Sequence, residues 1–223
     1  MGQMLDALRS AAHPLALTGA GISAPSGVPT FQSLWKGRPM RDALGREDME
    51  RDPVGFFELY CAMEAWSNAQ PNAAHRQLAA YHVPILTQNI DGLHQKAGSR
   101  EVVELHGNLR RVFCKRCGWE GESKTLCQTL RPLYATRDTK GIERTLRCRC
   151  GAPIDMDVVL YGDAVRGLDT VDAWLSSCDV LLVIGTSLTT YPAAALPDIA
   201  RQLGARVLMA NEDCIAALTE EEL

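Results

Sequence analysis

No stretch of this sequence approaches the roughly 18 apolar residues that cross a bilayer as a helix, and residues 1–12 carry Asp6 and Arg9 among their apolar positions. The expectation is therefore a cytoplasmic chain with neither a secretory leader nor an anchor, and without a membrane partner. A strong charge of one sign is missing too. Against 27 Asp+Glu stand 23 Lys+Arg, a net charge of −4 with histidine neutral, which gives no electrostatic reason to expect nucleic acid as the main partner. Internal repeats and long Gly/Ser/Pro linkers are also absent. With 46% apolar and 22% charged residues, the composition excludes a disordered, collagen-like or low-complexity chain and fits one large domain with at most a small insertion.

What is present in excess for a cytosolic protein is cysteine, eight in all. Cys61, Cys127, Cys178 and Cys214 are scattered singly, whereas Cys114-x-x-Cys117-Gly118 and Cys148-x-Cys150-Gly151 form two knuckles with 30 residues between them. Four thiolates in two knuckles fill a tetrahedral zinc, and a fully thiolate-ligated zinc has no open position for chemistry. The pattern points to one structural zinc ion that staples a small region, not to disulfides. The stretch 109–155 around the knuckles loses apolar periodicity and gathers Arg110, Arg111, Lys115, Arg116, Arg144, Arg147 and Arg149. It reads as an inserted zinc-binding domain, with the basic residues as a solvated face because no aromatics are interleaved with them.

The flanking segments alternate strands with helices. Leu15-Ala16-Leu17 leads into Gly19-Ala20-Gly21. Asp52-Pro53 opens a helix whose apolar side holds Phe56, Leu59, Tyr60, Met63 and Trp66, and a second helix begins near Pro71-Asn72. Val83 to Thr87 and Glu101 to Leu105 are short apolar runs, each ending in a polar cluster, Gln88-Asn89-Ile90-Asp91 and His106-Gly107-Asn108. Asp179 to Ile184 is apolar on both faces, as in a parallel strand covered on both sides. Pro192 to Leu203 reads as a helix closed by Gly204, with Val207-Leu208-Met209 as the next strand. The fold class predicted is α/β, a doubly wound parallel sheet of Rossmann type made by 1–108 and 156–223, with the zinc insertion at 109–155.

Gly19-Ala20-Gly21-Ile22-Ser23-Ala24 matches G-x-G-x-x-A, whose glycines let the backbone approach a pyrophosphate at a helix N-terminus. The acidic residue expected at the end of a second strand about 20 positions on is missing, because Asp42 and Glu47 lie in a polar stretch. A plain dehydrogenase is therefore disfavoured. Taken with Ser26-Gly27-Val28-Pro29, Thr87-Gln88-Asn89-Ile90-Asp91-Gly92-Leu93-His94, Glu104-Leu105-His106-Gly107, the zinc knuckles, Val158 to Asp163, Gly185-Thr186-Ser187 and Asn211-x-Asp213, the sequence resembles sirtuins, the NAD-dependent protein-lysine deacylases. Its compact length resembles the bacterial members.

The resemblance implies a cleft that takes NAD and an acyl-lysine peptide, releasing nicotinamide, deacylated lysine and O-acyl-ADP-ribose. It implies that His106 is the general base toward a ribose hydroxyl, a role suited to its ordinary pKa near neutrality. Asn89 orients ribose and water, Asp91 holds the nicotinamide carboxamide, and Gln88 contacts a ribose. Gly19, Ala20, Gly21, Ser23, Gly185, Thr186, Ser187 and Asn211 complete the dinucleotide site, and Phe31 covers the nicotinamide. Val159, Tyr161 and Gly162 match the strip that pairs with an extended substrate peptide. His75 and His94 match family positions and are read as structural.

Three departures sharpen the reading. Gln32 stands where an arginine is usual in the cofactor loop. Phe57 and Tyr60 stand where the desuccinylase branch has a tyrosine and an arginine, so with Met63 they point to a greasy pocket for an apolar acyl group. Only 12 residues follow Asn211, which predicts a more open adenine side. The competing functions are a mono-ADP-ribosyltransferase or NAD hydrolase, and a non-catalytic NAD-binding or zinc interaction module.

Overall fold

The computed structural model describes residues 2–210, with side chains from Asp6 onward. Along the chain lie α1 (Gly2–Ser10), β1 (Pro14–Thr18), the short strands β2 (Leu34–Trp35) and β3 (Arg38–Pro39), α2 (Arg46–Arg51), α3 (Pro53–Glu64), α4 (Ala73–Ala80), β4 (Ile85–Thr87), α5 (Leu93–Lys96) and β5 (Val102–Glu104). Then come β6 (Gly107–Phe113), β7 (Glu120–Glu122), α6 (Ser123–Ala135), α7 (Thr139–Thr145), β8 (Asp155–Val158), α8 (Leu168–Ser177), β9 (Val180–Ile184), α9 (Leu196–Gln202) and β10 (Arg206–Ala210). Two compact units result. One contains residues 2–30, 69–106 and 165–210, the other Phe31–Asn68 and Gly107–Ala164.

In the first unit five parallel strands stand in the order β10-β9-β1-β4-β5. Side chains alternate across the sheet, so Leu181 and Val183 of β9 enter one apolar layer and Val180, Leu182 and Ile184 the other. Val171 and Leu175 of α8 with Leu196 and Ala200 of α9 cover the first layer. Ala7 of α1 with Ala74 and Leu78 of α4 cover the second. Each fully buried Leu or Ile of these layers contributes about 1.5–3 kcal/mol. This is the doubly wound α/β architecture that the two-faced apolar runs predict.

The strand order runs outward from β1 in both directions, to β4 and β5 on one side and to β9 and β10 on the other. The switch point therefore lies between β1 and β9, where sheets of this kind place their ligands beyond the carboxyl ends of the strands. The glycine turn after β1 does not open an α-helix. Residues Ala20–Ser26 wind as a 3-10 helix with Pro25 inside it, ended by Gly27 at φ 79°, because a proline without an N–H cannot sustain the α pattern. The segment read as one helix from Pro192 likewise begins as a 3-10 turn, Ala193–Ala195, before α9, and Gly204 follows at φ 97°.

The second unit is built on the antiparallel sheet β7-β6-β8, with α3 against α6 and β6. Helix α3 starts as predicted. Asp52 Oδ1 accepts the Gly55 N–H at 2.9 Å and Pro53 occupies the first turn. Its Phe56, Phe57, Leu59, Tyr60 and Met63 are all buried. Helices α6 and α7 occupy a stretch whose apolar periodicity had faded. The buried apolar stripe on α6 is Leu126, Cys127 and Leu130 at helical spacing, with Pro132 inside the helix.

Candidate functional site

Every polar cluster of the first unit leaves the carboxyl end of a strand: Gly19–Ser23 after β1, Gln88–Asp91 after β4, His106 after β5 and Gly185–Ser187 after β9. The turns after β1 and β9 touch. The Gly19 N–H donates to Ile184 O at 3.0 Å and the Gly21 N–H to Gly185 O at 2.8 Å. A Cβ at Gly21 would stand 2.8 Å from Gly185 Cα, and one at Gly185, itself at φ 63°, 2.2 Å from Ile22 N. These glycines are thus required by the contact of two turns, a demand separate from any approach to phosphate.

Ser23 is the centre of a buried polar group. Its Oγ donates to Asp91 Oδ2 at 2.7 Å and accepts from Asn89 Nδ2 at 3.0 Å. Asn89 Nδ2 also donates to Gly19 O at 3.1 Å, which leaves Asn89 Oδ1 buried with no hydrogen-bond partner among the described residues. An acceptor left so costs about 1–3 kcal/mol, and a bound donor would recover that cost. Burial raises the Asp91 pKa, opposed by the Leu93 N–H and by Ser23. His75 Nε2 lies 3.4 Å from Ser23 Oγ. His75 Nδ1 lies 3.0 Å from Asn72 Oδ1 and 3.4 Å from Asn72 N at the start of α4. His94 Nε2 lies 2.9 Å from Thr18 Oγ1, whose own proton goes to Thr87 Oγ1. Burial lowers the pKa of His75 to about 4 and that of His94 to about 3, so both rings, 4.8 Å apart, are neutral props.

His106 differs. Its Nδ1 lies 3.1 Å from the Gln88 carbonyl oxygen. A carbonyl only accepts, so the hydrogen sits on Nδ1 and the Nε2 lone pair is left for another proton. Burial lowers the pKa of this imidazole, partly offset by the Gln88 carbonyl. Gln88 Oε1 in turn accepts from Thr186 Oγ1 at 2.6 Å. Gly19, Gly21, Ser23, Gln88, Asn89, Asp91, His106, Gly185 and Thr186 are thereby brought into one bonded set. Ala20 is half-buried in the turn beside them, and Ser187 is exposed with its hydroxyl 3.0 Å from Thr189 Oγ1. Asn211 lies outside the described residues.

The other predicted residues belong to the second unit. Phe31 is half-buried and Gln32 exposed. Phe57 and Tyr60 are fully buried, their rings 5.5 Å apart, and the Tyr60 hydroxyl is 2.6 Å from Ser123 Oγ. In the strip after β8 the Tyr161 N–H donates to Leu44 O and its carbonyl accepts from Arg46 N, both at 3.0 Å. The main-chain groups of Gly162 have no partner among the described residues, and Val159 stands just beyond the Gly107–Val158 pair of β6 and β8. No local pattern signals that Leu44–Arg46 pair here, since the two segments lie more than a hundred residues apart.

The four cysteines converge, with all Sγ atoms within 4.8 Å of one another and the pairs Cys114–Cys150 and Cys117–Cys148 at 3.6 Å. A zinc with bonds of about 2.3 Å sets tetrahedral sulfur–sulfur edges of about 3.8 Å, so the group fits the ion. Gly118 and Gly151 turn at φ 71° and 85°, as the residue after each knuckle was expected to do. No helix among the described residues is long and apolar enough to cross a membrane.

The model of the Sir2 family matches residues 19–192. The chain is 37% identical to the NAD-dependent protein deacetylase of Sulfurisphaera tokodaii, over 93% of this chain and 83% of that one. It is 40% identical to the NAD-dependent protein deacetylase of Cutibacterium acnes, over 80% and 74%. Among solved structures it is similar to a Sir2 complex with a p53 peptide and NAD+, at a TM-score of 0.82 and 30% identity over 94% of this chain and 85% of that one. It is also similar to a Sir2 homologue bound to NAD, at 0.81 and 33% over 95% and 82%. Archaeal sequences stand beside bacterial ones among these relatives, so a compact length is no mark of bacterial origin.

Proposed function

The chain belongs to the Sir2 family, and from that premise we propose how its side chains divide the work of an NAD-dependent protein deacylase. Such an enzyme consumes NAD and an acyl-lysine peptide and yields nicotinamide, free lysine and O-acyl-ADP-ribose. NAD supplies the ribose carbon that loses nicotinamide and the hydroxyl that finally carries the acyl group. Zinc, held by Cys114, Cys117, Cys148 and Cys150, supplies a closed cross-link and no reactive position.

One observation carries the assignment. His106 keeps its hydrogen on Nδ1 against the Gln88 carbonyl, so Nε2 is the atom that takes a proton from a ribose hydroxyl. Its lowered pKa keeps it an unprotonated base at neutral pH. Asn89 offers its unpartnered Oδ1 to a ribose hydroxyl or to water. Asp91 accepts from the nicotinamide carboxamide, aimed by Ser23 and by the Leu93 N–H. Gln88, Thr186, Ser187, Ala20 and the contacting glycines bound the dinucleotide, with Asn211 on its adenine side. Phe31 covers the nicotinamide, and Gln32 stands in for a cation there. Val159 and Gly162 present main-chain groups to a substrate peptide beside Tyr161, whereas Phe57, Tyr60 and Met63 are buried without the exposed surface an acyl pocket needs.

In this reading 1–108 with 156–223 handle NAD and 109–155 hold zinc, a division by ligand. Thiolates kept for a metal call for a reducing compartment, which supports the cytoplasm. The test is to incubate the protein with NAD and acetyl-, succinyl- or longer-acyl-lysine peptides and to identify the products by mass. Acyl-dependent nicotinamide release with O-acyl-ADP-ribose is expected. Release that ignores the acyl peptide would replace this reading with NAD hydrolysis.

A further inference from the structure

Four charged side chains of the second unit join the first cysteine knuckle to the strip that carries Tyr161. Arg46, at the start of α2, bridges two carboxylates. Its Nη1 donates to Asp155 Oδ1 at 3.0 Å, and its Nε and Nη2 donate to Asp163 Oδ1 and Oδ2 at 3.0 and 2.6 Å. Asp155 Oδ2 also takes Lys115 Nζ at 2.5 Å, and Lys115 sits between Cys114 and Cys117. Asp163 Oδ2 accepts the Leu160 N–H at 3.1 Å. The loop closes through the main chain, where Arg46 N–H donates to Tyr161 O at 3.0 Å.

Two positive and two negative charges therefore meet around a segment whose main chain is also paired with Leu44 and Arg46 at Tyr161. Of residues 159–163 only Leu160 is fully buried, while Tyr161 is 52% exposed and Gly162 has no side chain. The side chains of Arg46 and Asp155 are 18% and 9% exposed, sheltered enough for their geometry to persist. A guanidinium satisfies both carboxylates with its planar fork, and an ammonium would reach only as a point charge. The cluster adds a side-chain hold to the main-chain pairing at 160–163, beside the main-chain groups of Val159 and Gly162.

We propose that Arg46 is a positioning residue for the acyl-peptide substrate, holding residues 160–163 so that Val159 and Gly162 present their main-chain groups to the peptide, with Lys115 linking that hold to the zinc knuckle. The proposal rests on the reading that this strip takes the peptide main chain. Holding the strip contributes to peptide binding and not to the chemistry of NAD, which a kinetic split detects.

The experiment measures kcat and KM for NAD, for an acyl-lysine peptide, and for a single N-acyl-lysine without flanking residues, in the zinc-loaded full chain. Wild type, Arg46→Lys, Arg46→Met, the charge-reduced pair Arg46→Met with Asp163→Asn, and Lys115→Met are compared, with zinc content and thermal unfolding checked for each. Expected is a peptide KM raised about tenfold in Arg46→Met, with Arg46→Lys between it and wild type, against a change within about twofold for NAD and for the single acyl-lysine. Lys115→Met is expected to raise the peptide KM about threefold. If wild type binds the peptide no better than the single acyl-lysine, the strip reading itself fails. If wild type does prefer the peptide, and the folded Arg46 variants keep its KM or lose affinity for all three substrates alike, the strip reading survives and the role of Arg46 is overturned. Should Arg46→Met not fold, Arg46→Lys and the charge-reduced pair decide the same way.

Discussion

Two polar clusters in this chain follow opposite rules. Around Ser23, three polar side chains from two loops bond to one another and leave the Asn89 acceptor unpartnered. Around Arg46, opposite charges close on each other and on the main chain. The second arrangement holds backbone in place. The first keeps an unmet demand in a dry setting, tolerable only if something else meets it. Incompleteness, more than polarity, separates the reactive cluster from the supporting one.

The largest way to break the comparison is to remove the ion that both zinc knuckles need. Chelation is expected to unfold the second unit and abolish deacylation, because metal binding and folding are coupled in such sites. Loss of tryptophan fluorescence and of circular dichroism together with activity would show it, and intact spectra in metal-free protein would refute it. Next, His106→Ala is expected to lower kcat by about 10²–10⁴-fold at unchanged thermal stability, as read by nicotinamide release. Full activity would remove His106 from its role.

The two clusters then separate by readout. Asp155→Ala leaves Arg46 with Asp163 alone and frees the exposed Lys115, and is expected to cost about 1–3 kcal/mol of unfolding free energy, measured by urea titration. Asn89→Ala removes the unpartnered Oδ1 together with the Nδ2 bonds to Gly19 O and Ser23 Oγ. It is expected to cost about 1–3 kcal/mol of stability while slowing turnover about a hundredfold. A stable, fast Asn89 variant would erase the contrast.

The remaining effect is with pH. His75 and His94 have pKa values lowered to about 4 and about 3 when folded, against about 6.5 unfolded. Their contribution to stability is complete above pH 6.5. It is lost as pH falls below that, since the unfolded chain then binds more protons, with a slope of about 1.4 kcal/mol per pH unit for each ring. Urea midpoints measured from pH 7 to 4 check the slope, and a flat profile would mean the rings are already charged when folded.

Legibility in the sequence followed the range of the interaction. Val180–Ile184 was readable because a strand covered on both faces shows as an unbroken apolar run, and the start of α3 because Asp52 and Pro53 act within one turn. The place of His106 was readable because a strand ends just before it. The tautomer of His106 was not, since it depends on the Gln88 carbonyl, 18 residues away. Nor was the Arg46 cluster, whose partners lie 109 and 117 residues on. Helix α6 escaped because its apolar stripe is short and a proline lies within it.

The meeting of Gly21 with Gly185 has a consequence for how this chain can vary. One added carbon at either position would wedge apart the ends of the two central strands, so neither turn can be reshaped without the other. A new taste in cofactor would have to be acquired elsewhere, through residues that stand off from this seam.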